Sequence, residues 1–559
     1  MPYQIDKARC LCCHNCALEC PVHAIDYKGT GYYVNEEICI DCGHCEKVCN
    51  VDAPYRTDIP KVQPAAHAPE TMEADLVVLG AGVSGIVAAA RAAQLSGRSV
   101  IVLEKAKKYG GSGWFAGFNV PAEGSESAMP PMFAQAQEAL RAGGVDPEIM
   151  RIASEKPSEF FEWFRKLDSR VDELWKPTPG PFGNVSMELE ESRVYFNKKC
   201  TDKAIGPGRS TSVMEKIVTD HFEELGITLL TEHRAVRIQT DESGVVCGVT
   251  AENPGGIVNI KCRAVISCTG GFANNEEMLR AYAPQYYGQP GDEPTHRFAA
   301  PTNTGDVVGL GESAGAFLDT ENFTANVFGP VHHPFSFCLF SFANQAEVVT
   351  VNRDGKRFLD ESIFGGGAAK MYHQPGRVAW SVLDHKTRQM LGERLKHGPD
   401  GAVLQDFEAE FDAEAALDTP LKKADTLEEL AELCGIDQAA FPETIRTYNE
   451  ACRLGRDDAF GKRPETLYPV EEAPFYAIYG KIACDGAFGG MLINGKTQVY
   501  RADRADIIPG LYAAGDNSSG WLLKSKEEGD HRLMAANECN WAIASGFTAG
   551  EQAAEYLQA

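Results

Sequence analysis

The sequence predicts an α/β chain with a small, separate α+β unit at its amino end. Two observations predict it. From Ala74 the chain runs through an apolar strand, a tight glycine turn, a helix of small residues and a second strand with an acidic end, and before residue 50 one cysteine spacing occurs twice. At 559 residues there is room for roughly three or four domains of ordinary size. A content of 44% apolar and 24% charged residues places the chain among globular proteins, not disordered or fibrous ones. No run approaches the ~18 apolar residues of a membrane span. The start, MPYQIDKARC, lacks a basic patch followed by an apolar stretch, so neither secretion nor a membrane anchor is expected. A formal charge of −26 repels phosphate backbones and argues against nucleic acid as a partner. Half of the 18 cysteines fall in the first 50 residues at metal-ligand spacing, which favours a reducing, cytoplasmic setting over disulfides.

The head, residues 1–55, contains Cys10, Cys13, Cys16 and Cys20, then Cys39, Cys42, Cys45 and Cys49. Each run reads C-x2-C-x2-C-x3-C, and each cysteine of the second lies 29 residues after its counterpart, so the unit is duplicated. Short loops of this kind bring three thiolates to one iron–sulfur cubane and aim the fourth at the other. One cluster takes Cys10, Cys13, Cys16 and Cys49, and the other takes Cys39, Cys42, Cys45 and Cys20. Zinc ligands usually come in separated pairs, which points away from zinc. AIDYKGTGYYV between the runs has the β-rich residues and glycines of a hairpin. The head resembles the bacterial two-cluster ferredoxins, with Asn50 where their pattern has proline; Cys12 reads as a packing thiol. Residues 56–73, rich in Pro and Ala, read as a linker.

In ADLVVLGAGVSGIVAAARAAQLSGRSVIVLEK, Gly80 permits the turn, Gly82 lets backbone approach a pyrophosphate, and Gly85 lets helix and strand pack closely. The pyrophosphate then lies at the helix N-terminus. Glu104, 19 residues after Gly85, is placed to accept ribose hydroxyls, and Lys105 follows it. Gly110, Gly111 and Ser112 offer exposed backbone beyond the second strand for a flavin's ribityl side, and the preference for FAD over NAD rests on this together with a family resemblance. No second such unit is present for a nicotinamide: GLGESAG, from Gly309, lacks a preceding apolar strand and reads as a helix packed through small residues.

With CTGGFANNEEM from Cys268, NTGDVVGLGESAGA from Asn303, VNRDGKRFLDE from Val351, ADTLEELAELCGID from Ala424 and PGLYAAGD from Pro509, the chain resembles the fumarate reductase/succinate dehydrogenase flavoprotein family, which includes urocanate reductase and the 3-ketosteroid dehydrogenases. The resemblance implies an FAD-binding Rossmann-like domain from residues 74–324 and 484–559, interrupted by an α+β capping domain over 325–483. It adds Thr269, Gly270, Gly271, Asp306, Gly515, Asp516 and Ala535 to the flavin contacts. A helix from about Met534 to Ala553 points its N-terminus at the flavin. Locally, Asp354-Gly355 suits a two-residue hairpin turn and Thr426 with Glu429 a capping box.

The sequence also departs from the family. The arginine that serves fumarate reductases as proton donor would stand four residues after Glu361, where Gly365 is found, and Asp485 and Gly486 replace a histidine pair. Arg532 is the nearest match to the family's carboxylate-binding arginine. Substitute acids are Tyr372, His373, His332 and His333, and Glu361 is a further candidate; in each, a residue merely hydrogen-bonded in core or surface is the competing reading. Trp521, Lys524 and Lys526 are expected beside a bulkier or more apolar substrate. The implied activity is an anaerobic reduction of an activated C=C bond in an enoate or enone other than fumarate itself, with electrons from a ferredoxin, flavodoxin or other one-electron donor. The same reaction run backwards as a dehydrogenase, or an electron-transfer module serving a partner protein, are the alternatives.

Overall fold

The computed structural model describes residues 3–6, 9–10, 15–18, 20–27, 32–49, 52–56, 68–115, 118–121, 140, 142–171, 192–195, 210–284, 292, 296–297, 299–331, 337–362, 370–396, 407–416, 420–523, 533–534 and 538–559. At its centre six strands run in the order Ile227–Leu230, Val100–Leu103, Leu76–Leu79, Ala264–Ser267, Ile507–Ala513, Gln498–Tyr500. All are parallel except the last, which is antiparallel to its neighbour. The inner strands are buried on both faces, as continuous apolar runs such as LVVL and VIVL require. Leu76 and Val78 face one layer, made by the helices Val83–Ser96, Pro147–Leu167, Ser210–Asp220 and Glu538–Gln558. Val77 and Leu79 face the other, where a four-stranded sheet contributes Ile238, Val249, Val258 and Ile260.

Helix Glu538–Gln558 lies on helix Val83–Ser96 through bare backbone. A Cβ at Gly546 would meet the Ser84 carbonyl oxygen at 2.5 Å, and one at Gly550 the Ala88 carbonyl oxygen at 2.6 Å. The small-residue face read from the sequence is thus the packing face. The helix is described from Glu538, and Met534, expected within it, is in a short strand paired with Leu522. GLGESAG is helical, within Val307–Ala314, and closes on Gly315 in the left-handed conformation.

A second sheet is organised by the 14-residue strand Phe475–Phe488. It pairs with His296–Arg297, Thr324–Val331, Val378–Leu383 and Leu421–Ala424, while Val349–Val351 extends the sheet from Val378–Leu383. The turn at Asp354-Gly355 has three residues: Gly355 N–H donates to the Asn352 carbonyl with φ +69°, and Asn352 N–H donates to the Lys356 carbonyl. This is a type I turn closed by a left-handed glycine, not the two-residue turn expected. Thr426 caps helix Leu427–Cys434 by accepting from Glu429 N–H, and the Glu429 carboxylate reaches Asp425 N–H, one residue before the cap.

In the head, Gln4–Ile5 pairs with Pro54–Tyr55, and Ile25–Tyr27 forms a hairpin with Tyr32–Val34. The 29-residue duplication is visible in the backbone. Cys10 N–H donates to the Asp6 carbonyl and Cys39 N–H to that of Asn35, both at 2.9 Å. Ala24 N–H donates to Cys20 Sγ at 3.2 Å and Ala53 N–H to Cys49 Sγ at 3.3 Å. His23 and Asp52 both have positive φ, +50° and +48°. Among the described residues no helix is long and apolar enough to cross a membrane.

Replacing Gly546 with Val puts a branched side chain against helix backbone. The expected loss of stability is roughly 1–3 kcal/mol, read from urea unfolding. The control is Glu555→Ala, at an exposed position of the same helix, which should be near neutral.

Candidate functional site: a dinucleotide cradle beneath a capping sheet

The glycine turn after Leu76–Leu79 is built by close backbone approach. Gly80 has φ +97°, and a Cβ there would lie 2.4 Å from the Cys268 carbonyl oxygen; one at Gly85 would lie 1.9 Å from the Gly80 carbonyl oxygen. Gly82 precedes helix Val83–Ser96 and provides no side-chain cap. A Cβ on Gly111 would stand 3.9 Å from Gly82 Cα, so the two glycines face each other with bare backbone. Gly110 N–H donates to the Ala81 carbonyl at 2.8 Å, fixing this spacing. Uncapped helix N–H groups beside glycine backbone suit a pyrophosphate.

Glu104 is buried at the end of the second strand, where its two oxygens accept from Ala81 N–H at 3.0 Å and Ala106 N–H at 2.8 Å. Burial pushes its carboxyl above the usual range against the pull of those N–H groups and of Lys105. A carboxylate has lone pairs beyond these two bonds, enough to accept hydroxyl donors as well. Lys105 Nζ is 2.7 Å from Asp306 Oδ2 and 2.7 Å from Thr304 Oγ1, and Arg234 reaches Asp306 Oδ1 at 2.8 Å. Burial would raise the Asp306 carboxyl, but Lys105 and Arg234 outweigh it and hold it low. Ser112 Oγ accepts from Ala300 N–H at 3.2 Å.

Thr269, Gly270 and Gly271 follow the neighbouring strand. Thr269 Oγ1 accepts from Asn517 at 3.1 Å, and a Cβ at Gly271 would be 1.5 Å from the Ala487 carbonyl oxygen. Gly515 has φ +72° and donates its N–H to Ser545 Oγ, while the Asp516 carbonyl accepts from Gly489. The expected contacts thus gather at the carboxyl ends of four neighbouring parallel strands, where open α/β sheets bind ligands; Ala535 lies outside the described residues. The cradle also contains buried polar atoms with no hydrogen-bond partner among the described residues: Asn517 Oδ1 and both oxygens of Glu215. Bare glycine backbone and orphaned polar atoms together fit a bound dinucleotide.

The catalytic candidates are separated. Glu361 is buried among cations: it accepts from Arg357 at 3.1 and 2.7 Å and from Thr350 N–H at 2.9 Å, with Lys462 Nζ at 3.5 Å. Arg357 also bridges to Asp457 at 2.9 Å. Burial alone would raise the Glu361 carboxyl, but Lys462 and Arg357 hold it low, an arrangement that binds the capping elements together. Tyr372 lies elsewhere in the cap, with the guanidinium of Arg377 4.5 Å over its ring. Arg377 is buried and has φ +58°, and sequence reasoning missed it; nothing in the local sequence except the preceding Gly376 marks the strained turn. Burial pushes the Tyr372 phenol up and Cys484 adds to this, while Arg377 opposes it. Tyr372 packs on the cluster of Met371, Ala379 and Ile482, and Ile482 stands five residues before Ala487 on the long strand. His373 is exposed. Arg532, His332, His333, Gly365, Lys524, Lys526, Cys12, Cys13 and Asn50 lie outside the described residues.

Trp521 is not at a substrate surface. It is fully buried, stacked on Trp541 at 5.0 Å, with its N–H satisfied by the Ser518 carbonyl, so its size serves the core.

In the head, Cys16, Cys20, Cys45 and Cys49 are buried, Cys10 and Cys39 half-buried and Cys42 exposed. All but Cys42 share a core with Tyr3, Ile5, Ile25 and Tyr32 and with Phe340 and Ala483, the latter on the long strand of the second sheet. Among the described residues no group of three or more His, Cys, Asp or Glu side chains is close enough to hold a metal ion. Lys108, two residues before Gly110, donates to the Glu46 and Cys49 carbonyls and joins the second cysteine run to the glycine loop.

This fold and cradle define a dinucleotide-binding α/β protein with a second, separate sheet. The model of the FAD binding domain family matches residues 75–522, and the chain belongs to that family. It is 28% identical over 516 residues to vinyl phenol reductase of Lactiplantibacillus plantarum, covering 86% of this chain and 96% of that protein. It is 26% identical over 501 residues to fumarate reductase (cytochrome) of Shewanella frigidimarina, covering 86% and 77%. The open conformation of a flavocytochrome c3 fumarate reductase superposes with a TM-score of 0.63 at 22% identity, covering 87% of this chain and 79% of that one.

The Asp306 ion pairs give a pH-dependent prediction. A carboxyl held low in the fold stabilises it above the unfolded pKa of about 3.9, and this contribution is lost as pH falls through the folded value. The stability advantage over Asp306→Asn should therefore be constant at higher pH and shrink below pH about 4, as read from urea midpoints across an acid series.

Proposed function

We propose that this chain is an FAD-dependent oxidoreductase acting on C=C or CH–CH groups, working as a reductase of an electron-poor C=C bond in an enoate or enone. Two [4Fe–4S] clusters in a ferredoxin-like head feed it single electrons from a ferredoxin, flavodoxin or similar donor. The observation that carries the reading is the shared strand Phe475–Phe488: one end meets the flavin loop at Gly271, and Ile482, five residues before Ala487, belongs to the cluster on which the half-buried Tyr372 of the Arg377 pair packs. When bound, FAD collects single electrons and delivers them in pairs as hydride. The clusters supply one-electron transfer.

The chain's own residues account for the rest. Gly80, Gly82, Gly85, Gly110 and Gly111 expose backbone to the dinucleotide, and Glu104 accepts its hydroxyls. Lys105 and Asp306 tie the loops around it. Tyr372 keeps its proton because burial disfavours the phenolate, and the Arg377 guanidinium over the ring stabilises negative charge as that proton leaves. Tyr372 is thus the favoured proton donor in place of the missing arginine at 365. By the family resemblance Arg532 would hold an anionic substrate group and His333 would help to bind substrate, while Glu361 orders the residues around Arg357.

For the clusters, the support is the doubled spacing and its structural echo. N–H groups donate to Cys20 and Cys49 sulfurs at equivalent places, and such donors favour the thiolate form that binds iron. Lys108 gives the second cysteine run a fixed position beside the flavin loop.

Anaerobically purified protein should carry about eight irons per chain and flavin absorbance, and after photoreduction a panel of enoates and enones should include one that reoxidises the flavin rapidly. Inertness towards the whole panel would count against the reductase. Tyr372→Phe should lower turnover by about 10²–10⁴-fold with flavin content intact; unchanged turnover removes Tyr372 as donor. Lys108→Ala should slow flavin reduction by the clusters in stopped flow without changing iron content.

A further inference from the structure

Glu215 has no part in the cradle as the sequence reads it. It lies on helix Ser210–Asp220, whose other inward residues include Met214, Ile217 and Val218, and it is fully buried. Among the described residues neither of its carboxyl oxygens has a hydrogen-bond partner. Its neighbours place it at the cradle. A Cβ built on Gly113 would stand 2.5 Å from Glu215 Oε1 and 2.4 Å from the side chain of Val83, the first residue of the dinucleotide helix. The carboxyl therefore fills the space left by a glycine in the loop that contains Gly110, Gly111 and Ser112. Glu104, Tyr109 and Cys539 are its titratable neighbours, and none of them is a cation. Thr211, one turn earlier on the same helix, approaches Cys539 at the start of the last helix.

A buried carboxyl without partners is unfavourable to the fold, and a protein retains such groups where a ligand satisfies them. We propose that Glu215 is a ligand of the bound dinucleotide, its carboxylic acid donating a hydrogen bond to the phosphate segment that crosses Gly82 and Gly111. This rests on the FAD reading above. Burial and the nearby Glu104 both favour the neutral acid, the form that can donate to an anion instead of repelling it.

The test uses the full chain stripped of flavin and titrated with FAD, following the quenching of flavin fluorescence and the melting temperature with and without saturating FAD. Glu215→Leu should weaken FAD binding at least tenfold and shrink the FAD-induced rise in melting temperature, while the flavin-free protein melts no lower than wild type. Glu215→Gln, which keeps a neutral donor, should remain within about threefold of wild type. Glu215→Asp, one methylene shorter, should also lose affinity, and it serves if the Leu variant does not fold. Wild-type affinity and a full thermal shift in the Leu or Asp variant overturn the assignment while leaving the FAD reading intact. A wild-type chain that binds no FAD overturns both.

Discussion

The architecture depends on the removal of side chains where the first strand, the first helix and the last helix meet. Gly85 lies too close to the Gly80 carbonyl for any Cβ, and Gly546 and Gly550 stand in the same relation to Ser84 and Ala88. These contacts press two helices and a strand end into one backbone-to-backbone packing. The N-terminus of Val83–Ser96 is thereby fixed over the ends of four parallel strands, and the glycine loop at 110–111, the Thr269–Gly271 loop and Gly515 are arranged around it. The cradle is thus a consequence of how the domain packs.

Two charge networks then hold what the packing leaves loose. Lys105, Asp306 and Arg234 join the second strand to the Asn303–Asp306 turn at the cradle edge. Arg357, Glu361, Lys462 and Asp457 tie together distant parts of the cap in a buried cluster. Buried pairs of this kind add little net stability over apolar packing, but losing one member leaves a stranded charge, so they favour one arrangement over its neighbours.

Much of the flavin domain is legible in the sequence because its determinants are local. The glycines that must lack side chains sit at fixed offsets in GAGVSG, and Glu104 ends a strand whose apolar run is continuous. The head is legible as a repeat for the same reason, since each backbone device recurs 29 residues on. Trp521 is misread because a large aromatic in a polar loop looks like surface, whereas its ring packs on Trp541, a partner 20 residues away that the loop itself does not announce. Arg377 and Glu215 are invisible for a related reason: their importance lies in burial beside residues distant in sequence, and a single charged letter in a helix or turn does not signal that. Met534 is misassigned to the last helix because it joins Leu522 in a pairing that apolar periodicity cannot distinguish from helix.

The strand Phe475–Phe488 belongs to both halves of the molecule. It spans roughly 45 Å and is clamped at one end, where the Ala487 carbonyl leaves Gly271 no room for a Cβ. Hydrogen bonds to four other strands stiffen the remainder. The Thr269–Gly271 loop therefore rests on a rigid abutment: a side chain at Gly271 could be accommodated only by shifting a strand that four others hold in register.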